Sequence, residues 1–368
     1  MTTGIEDAPG PEQVRGALKE IEDHAVRIFT WEYERDRTQL VTLYNKAMGA
    51  QWNSVTDLDW DTDVDPERMV VEMGDDAVPR MFREAAALKG SPLASWGETE
   101  FTRLGVELLC ARLSQFMHGE QGAMLTAAKL VETVPWIDAK YYAATQTMDE
   151  ARHTEVFAKY LDTKLGTAYP MSPFLDEQIT ALLEDGRWDI AYLGMQIVIE
   201  SLALAAFGEM HRTTTEPLLK KLLRYVMSDE ARHVAFGILS LSELYRDLSA
   251  AELRERQEFL VENTLRNRAR STTPEIWERM GVPVAAVVPY LMEAAQKTGG
   301  GIFAAFQRAF FAKLVPNVRK LGLLDANDGW LREQWGKAGL LEFEHAPDTS
   351  EDYLAYDAVT TDRQRAGA

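Results

Sequence analysis

The stretch Asp149-Glu150-Ala151-Arg152-His153 recurs, letter for letter, as Asp229-Glu230-Ala231-Arg232-His233, at an offset of 80 residues. Another glutamate stands 30 residues before the glutamate of each copy: Glu120 before Glu150, Glu200 before Glu230. A Glu and a His three apart point from the same side of a helix. Each copy can therefore offer one carboxylate and one imidazole to a single ion. The expected metal ligands are Glu120, Glu150, His153, Glu200, Glu230 and His233, with the four glutamates also the carboxylates that take part in the chemistry.

The helix pattern around these residues predicts where they meet. A long core helix is expected from about 96 to 133. A second follows Pro135, which suits a first helical turn, and ends near Gly166. Glu120 lies 15 residues before Pro135 and Glu150 lies 15 after it. In two antiparallel helices both carboxylates then come level, about 20 Å from the turn. The second pair repeats the arrangement. A helix is expected over about 187–211, a turn at Thr213-Thr214-Thr215-Glu216-Pro217, and a fourth helix to about 248. Between the pairs, 167–186 is long enough to cross the bundle. The expected fold is all-α, a ferritin-like four-helix bundle with one long crossover. Four carboxylates and two imidazoles inside such a bundle form the ligand set of a di-iron site, with manganese accepting the same donors.

The rest of the chain reads as additions to that core in a single domain: N-terminal helices and an ordered arm over 1–96, the core over 97–248, further helices over 249–340 and a polar tail over 341–368. The N-terminal pattern predicts helices over about 11–52 and 67–88. Between them Asn53 to Pro66 holds five aspartates and two apolar anchors, Leu58 and Trp60, and reads as an arm lying on the bundle.

Apolar residues flank the ligands at helical spacing. Phe116, Ala123, Ala127, Phe157, Ile197 and Leu204 are the expected lining of a pocket for a small organic substrate. Asp149 and Asp229, beside the ligand glutamates, are placed to fix the tautomers of the histidines, across the pair. Arg152 and Arg232 would balance charge next to them.

Composition excludes several functions. The hydrophobic share of 46% suffices for one large core, and no run approaches the roughly 20 apolar residues of a membrane span. The start of the chain is acidic and polar, so a cytoplasmic protein is expected. Cys110 is the sole cysteine, which cannot hold an iron–sulfur cluster or a disulfide. Electrons must come from an external donor or from the substrate. The net charge of −19 argues against nucleic acid as a partner, since that needs a basic face.

With its paired motifs on the page, the sequence resembles the ferritin-like carboxylate-bridged di-iron superfamily over about 97–248. The doubled Asp-Glu-Ala-Arg-His is similar to the motifs of bacterial multicomponent monooxygenase hydroxylases and acyl-carrier-protein desaturases. Gln51-Trp52-Asn53, followed by Asp57-Leu58-Asp59, resembles the arm of ribonucleotide reductase small subunits. That likeness implies a Trp52–Asp229–His153 electron path. The superfamily implies dioxygen as co-substrate and hydroxylation, desaturation or N-oxygenation of a small organic molecule. It also implies a ferredoxin or reductase as donor and a homodimer. The departures are specific. Phe157 stands where reductase subunits carry a radical tyrosine, Val226 where arylamine N-oxygenases carry a third histidine, and Ala203-Leu204 where many monooxygenases carry a threonine. A radical-generating subunit without a tyrosyl radical and an iron-storage protein are the competing readings.

Overall fold

A computed structural model describes residues 19–266, 273–298 and 301–347. The described residues are mainly helical, with no strand among them. The core is built from α4 (Glu98–Thr133), α5 (Ile137–Tyr160), a composite third helix and α9 (Pro217–Leu244). The third helix begins as α7 (Trp188–Tyr192), widens into a π-helical stretch over Leu193–Ile199 and continues as α8 (Glu200–Thr213). Its ends and those of its partners are chemically marked. The Glu100 carboxylate accepts the N–H of Gly97 at 2.7 Å before α4. Glu216 accepts from the N–H groups of Leu218 and Leu219 ahead of α9, with Pro217 in the first turn. The second core helix runs on as a π-turn over Leu161–Leu165 and stops at Gly166, whose φ of 68° favours glycine.

α5 and α7 start at the same end of the bundle, because Trp136 and Trp188 touch there with ring centroids 5.5 Å apart. The chain must therefore return along the bundle between them. It does so through α6 (Pro173–Glu184), whose Ile179 packs against Gly122 of α4 so closely that a β-carbon there would lie 2.5 Å from it. This is the expected long crossover.

Outside the core the N-terminal expectation needs correction. Residues 19–37 are not helical, and only α1 (Thr38–Gly49) is. Of the apolar residues whose spacing suggested a helical face there, Ile21, Ala25 and Ile28 are only half-buried and Phe29 is 70% exposed. Polar anchors tie the segment to the bundle instead. Lys129 pairs with Asp23 at 3.0 Å, Arg27 with Glu132 at 2.8 Å and Arg35 with Asp138 at 2.8 Å. Residues 11–18 of the expected helix lie outside the described residues. The helix expected over 67–88 is two, α2 (Pro66–Met73) and α3 (Arg80–Ala87), divided by Gly74 at φ 55° and by Pro79. The arm between them and α1 is ordered as expected. Leu58 is buried, Trp60 donates to the Ser54 carbonyl at 2.6 Å, and Lys164 binds the carbonyls of Trp60 and Thr62.

C-terminal helices α10 (Ala250–Arg266), α11 (Pro274–Arg279), α12 (Val284–Lys297), α13 (Gly301–Lys320) and α14 (Ala326–Lys337) follow the core. α13 packs along α8, with Asn317 donating to Ser201 at 3.2 Å. Of the expected tail, residues 341–347 are described and the remainder is not. One helix, Trp188–Thr213, is long and apolar enough to cross a membrane by length and composition alone, and 83% of its most apolar stretch is buried within the fold, consistent with the expectation of no membrane span. It is the third core helix, and its apolarity matches its central position.

Candidate metal centre

Each core helix delivers its glutamate or Glu–His pair to one layer, and the six side chains there are at most 4% exposed. Two groups of four donors form, each with its atoms within 4.8 Å of one another: Glu120, Glu150, His153 and Glu230, and Glu150, Glu200, Glu230 and His233. Glu150 and Glu230 belong to both groups. The His153 Nδ1 lies 3.1 Å from Glu120, 3.2 Å from Glu150 and 3.0 Å from Glu230. The His233 Nδ1 lies 3.0 Å from Glu150, 3.0 Å from Glu230 and 4.0 Å from Glu200. The geometry thus makes Glu150 and Glu230 the shared carboxylates and leaves Glu120 and Glu200 at the two ends.

Both imidazoles turn Nε2 outward to an aspartate of the other motif. His153 meets Asp229 at 3.0 Å and His233 meets Asp149 at 3.4 Å. Fixing Nε2 in this way leaves Nδ1 for the cluster. Asp229 also accepts from the Trp52 indole at 2.8 Å and from Arg152 at 3.1 Å, and pairs with Arg232. Asp149 accepts from Arg152 at 2.5 Å and from Gln51 at 3.0 Å. Gln51 is the counterpart of Trp52, and its amide oxygen takes a further hydrogen bond from Arg152 at 2.7 Å. The Arg152 guanidinium lies over the Trp52 ring at 4.6 Å.

The charges fit cations. Six buried carboxylates face two buried guanidiniums, leaving four uncompensated negative charges when the imidazoles are neutral. Two divalent ions match that surplus, and a surplus left bare inside a bundle is costly. Without ions, protons take the same role. Burial first, and then the Glu230 carboxylate, hold Glu120 and Glu200 well above the usual carboxylate range. Burial works against protonated imidazoles, but the hydrogen bonds His153 donates to Asp229 and the glutamates outweigh it there, and the charges of Glu150 and Glu230 do so for His233. Both are held well above the usual imidazole value. The Glu230 Oε1 is buried and accepts no aligned hydrogen bond, as suits an oxygen aimed at an ion.

The two sides of this layer differ in chemistry. Towards the far end of the bundle each helix contributes one apolar residue a turn from its ligand: Phe116, Phe157, Leu204 and Val226. Phe116 and Phe157 meet Phe207 in a three-ring cluster with centroids 4.7–5.7 Å apart. On the other side lie amides. Gln146 donates to Glu150 at 3.0 Å and to Glu200 at 3.4 Å, and accepts from Gln196 at 3.3 Å. Gly237 admits this layer, since a β-carbon there would lie 2.6 Å from Gln196 Cβ.

The residues expected to line one pocket are therefore divided. Phe116, Phe157 and Leu204 share the apolar side, while Ile197 packs in the core beneath the amides and Ala123 beside Leu182, Met195 and Ile199. Ala127 is fully buried on α4, two turns from Glu120. The amide layer was legible in the sequence as a second repeat, Tyr142-Gln146-Glu150 against Tyr192-Gln196-Glu200, at an offset of 50 residues. Other candidates lie elsewhere. His118 meets the Tyr169 carbonyl at 2.9 Å. His211 sits in the last turn of α8, where burial, Lys220 and Arg224 hold it below the usual imidazole value. Burial pushes the Cys110 thiol up to about 12, which makes it a poor nucleophile. A surface depression of about 310 Å³ between α1 and α9, lined by Thr38, Thr42, Lys46 and Leu239, is separate from the enclosed carboxylates.

No family model matches the chain, and no curated protein is similar to it. Solved structures of R2-like ligand-binding oxidase are similar to it. The form with aerobically reconstituted Mn/Fe cofactor is 14% identical, with a TM-score of 0.43, covering 83% of this chain and 94% of that one. A single-residue variant with anaerobically reconstituted Mn/Fe cofactor is 16% identical, with a TM-score of 0.45, over 79% and 95%. The functional reading rests on the side chains of this protein.

Proposed function

We propose that the protein binds two metal ions in the Glu120–Glu150–His153–Glu200–Glu230–His233 layer and acts as a dioxygen-dependent oxidase or oxygenase on a small organic substrate. The single observation that supports this is the pair of four-donor groups sharing Glu150 and Glu230. Two iron ions, or one manganese and one iron, would supply reducing equivalents and Lewis-acidic positions for dioxygen. Glu150 and Glu230 would span both ions, with Glu120 and His153 on one and Glu200 and His233 on the other. Asp229 and Asp149 hold the imidazoles in orientation. Gln146 holds Glu150 and Glu200 by its amide donors. The Phe116–Phe157–Phe207 cluster and Leu204 exclude water from the apolar side, which suits an apolar or aromatic substrate. With one buried thiol in the sequence, the electrons are assigned to an external donor such as a ferredoxin or reductase. The enzyme is proposed to be a cytoplasmic homodimer.

The test is metal analysis of native protein followed by anaerobic reduction and rapid mixing with dioxygen over a panel of substrates. Two ions per chain, and oxidation of one substrate class coupled to dioxygen uptake, are expected. Fewer than two ions, or ferric mineral as the only product, overturns the reading. A radical-generating subunit is favoured as the second reading by the Trp52–Asp229–His153 contact. Phe157 denies it the tyrosyl radical, so its radical would have to reside on the metal ions.

A further inference from the structure

Beneath the amide layer lies an unbroken file of aromatic rings that the reaction at the ligands does not use. Phe236 stands one turn beyond His233 on α9 and is fully buried. Its ring touches Tyr142 of α5 at 4.3 Å and Tyr192 of α7 at 5.0 Å between centroids. Tyr192 touches Trp188 at 5.6 Å, and Trp188 touches Trp136 at 5.5 Å. The two tyrosines are fully buried, whereas both tryptophans are only partly so. The file therefore begins one turn of α9 beyond His233 and runs to the end of the bundle. Ring contacts of this closeness are common in cores. A file that joins a buried site to the surface through oxidisable rings is a more specific arrangement.

Electron counting gives the file a task. Reduction of dioxygen to two waters takes four electrons and four protons. Two divalent ions that each change by one unit supply two electrons, and an oxidised substrate supplies the other two. When no substrate is bound, the second two must come from the protein or be lost to damage beside the ligands. We propose that the Phe236–Tyr192–Trp188 file delivers those electrons, one at a time, so that oxidising equivalents formed without substrate end on Trp188 at the bundle end. This rests on the function proposed above.

The local chemistry selects Trp188 within the file. The Tyr142 and Tyr192 phenols are both buried with no aligned acceptor for their protons. Neither can lose a proton with its electron, so neither ring holds the oxidising equivalent as a neutral radical. The Arg37 guanidinium lies over Trp136 at 4.6 Å, and a cation there opposes a positive hole on that ring. Trp188 gives up one electron and then releases its indole proton to solvent. A thiol or ascorbate in solution returns one hydrogen atom, and the indole is restored while the reductant becomes its one-electron oxidation product.

The test uses the full chain loaded with ferrous iron, freed of thiol, ascorbate and other reductant, and exposed to dioxygen in successive anaerobically reloaded turnovers without substrate, with catalase present. Oxidised tryptophan is mapped by peptide mass spectrometry, and a zinc-loaded sample provides the background. Trp31, which is 83% exposed, reports oxidation by diffusible species. Oxidation is expected at Trp188 above Trp136 and above Trp31. Phe236→Leu is expected to reduce it to the zinc level, and Trp188→Phe, at a partly exposed ring, to shift damage back towards Tyr192 and the ligands. Oxidation that follows exposure, with Trp31 foremost, overturns the proposal. So does oxidation of Trp188 that persists in folded Phe236→Leu protein. If dioxygen is consumed and Trp188 stays intact, this inference fails and the proposed function stands. If two ferrous ions bind and no dioxygen is consumed, both fail.

Discussion

The two sides of the ligand layer are built from the same four helices yet carry opposite chemistry. Above it, Phe116, Phe157, Leu204 and Val226 close the bundle with carbon. Below it, Gln146 and Gln196 reach the carboxylates with amides, and aromatic rings lead on from there. The difference teaches that a near-symmetric ligand set need not make a symmetric site. One side is suited to hold an apolar molecule and exclude water. The other orients charge and, on the proposal above, moves electrons.

Six variants would break or sharpen that contrast. The largest effect is expected from Glu230→Ala, which removes a carboxylate common to both groups and should abolish occupancy of both ions. Glu200→Ala should lose the ion on its own side, and two tightly held ions in that variant, by metal analysis, would sink the ligand assignment. Next comes Phe157→Ala on the apolar side. A fully buried phenylalanine leaves a cavity, so about 3–5 kcal/mol of stability should be lost in urea denaturation of the metal-free protein, with metal affinity changed less than by the amide variant. Gln146→Leu should show the reverse. Loss of its amide donors to Glu150 and Glu200 is expected to weaken metal binding by about 10–100-fold in competition with a chelator, at little cost to stability. Equal effects of the two variants on both measurements would erase the distinction between the sides. The smallest effect is expected from Gln51→Leu. Asp149 keeps its Arg152 partner, so the loss should stay within about 1 kcal/mol. Trp52→Phe should exceed it, because ring stacking and the hydrogen bond to Asp229 change together.

Much of the site was legible because metal ligation imposes rules on spacing. Glu150 and His153 had to be three apart, and Glu120 had to be as far from the turn as Glu150 was. Those constraints survive in a single sequence. The 50-residue repeat that sets Gln146 and Gln196 side by side was equally present, and it escaped reading because glutamine in a helix has many uses. The apolar side was only half legible. Phe157 and Ile197 both lie on inward faces one turn from a ligand, but one is C-terminal to its ligand and the other N-terminal, and parallel helices send those two directions to opposite sides of the layer. Residues 19–37 were misread for a related reason. Apolar spacing predicts a helix only if something covers the apolar face, and Ile21, Ala25 and Ile28 stay half-covered and Phe29 exposed while the ion pairs of Asp23, Arg27 and Arg35 tie the segment to the bundle.

The sequence by itself determined the bundle and the layer of four glutamates and two histidines inside it. These follow from helical periodicity and from the donor requirements of an ion, both of which are local or repeat at fixed intervals. Only the tertiary structure decided which carboxylates are shared, that each histidine is held by the aspartate of the other motif, and which face of the layer is apolar. Those properties depend on the relative direction and rotation of helices far apart in the chain, fixed by close contacts such as Gly237 on Gln196 and Gly122 on Ile179. Packing sets them, and packing is a property of the assembled core.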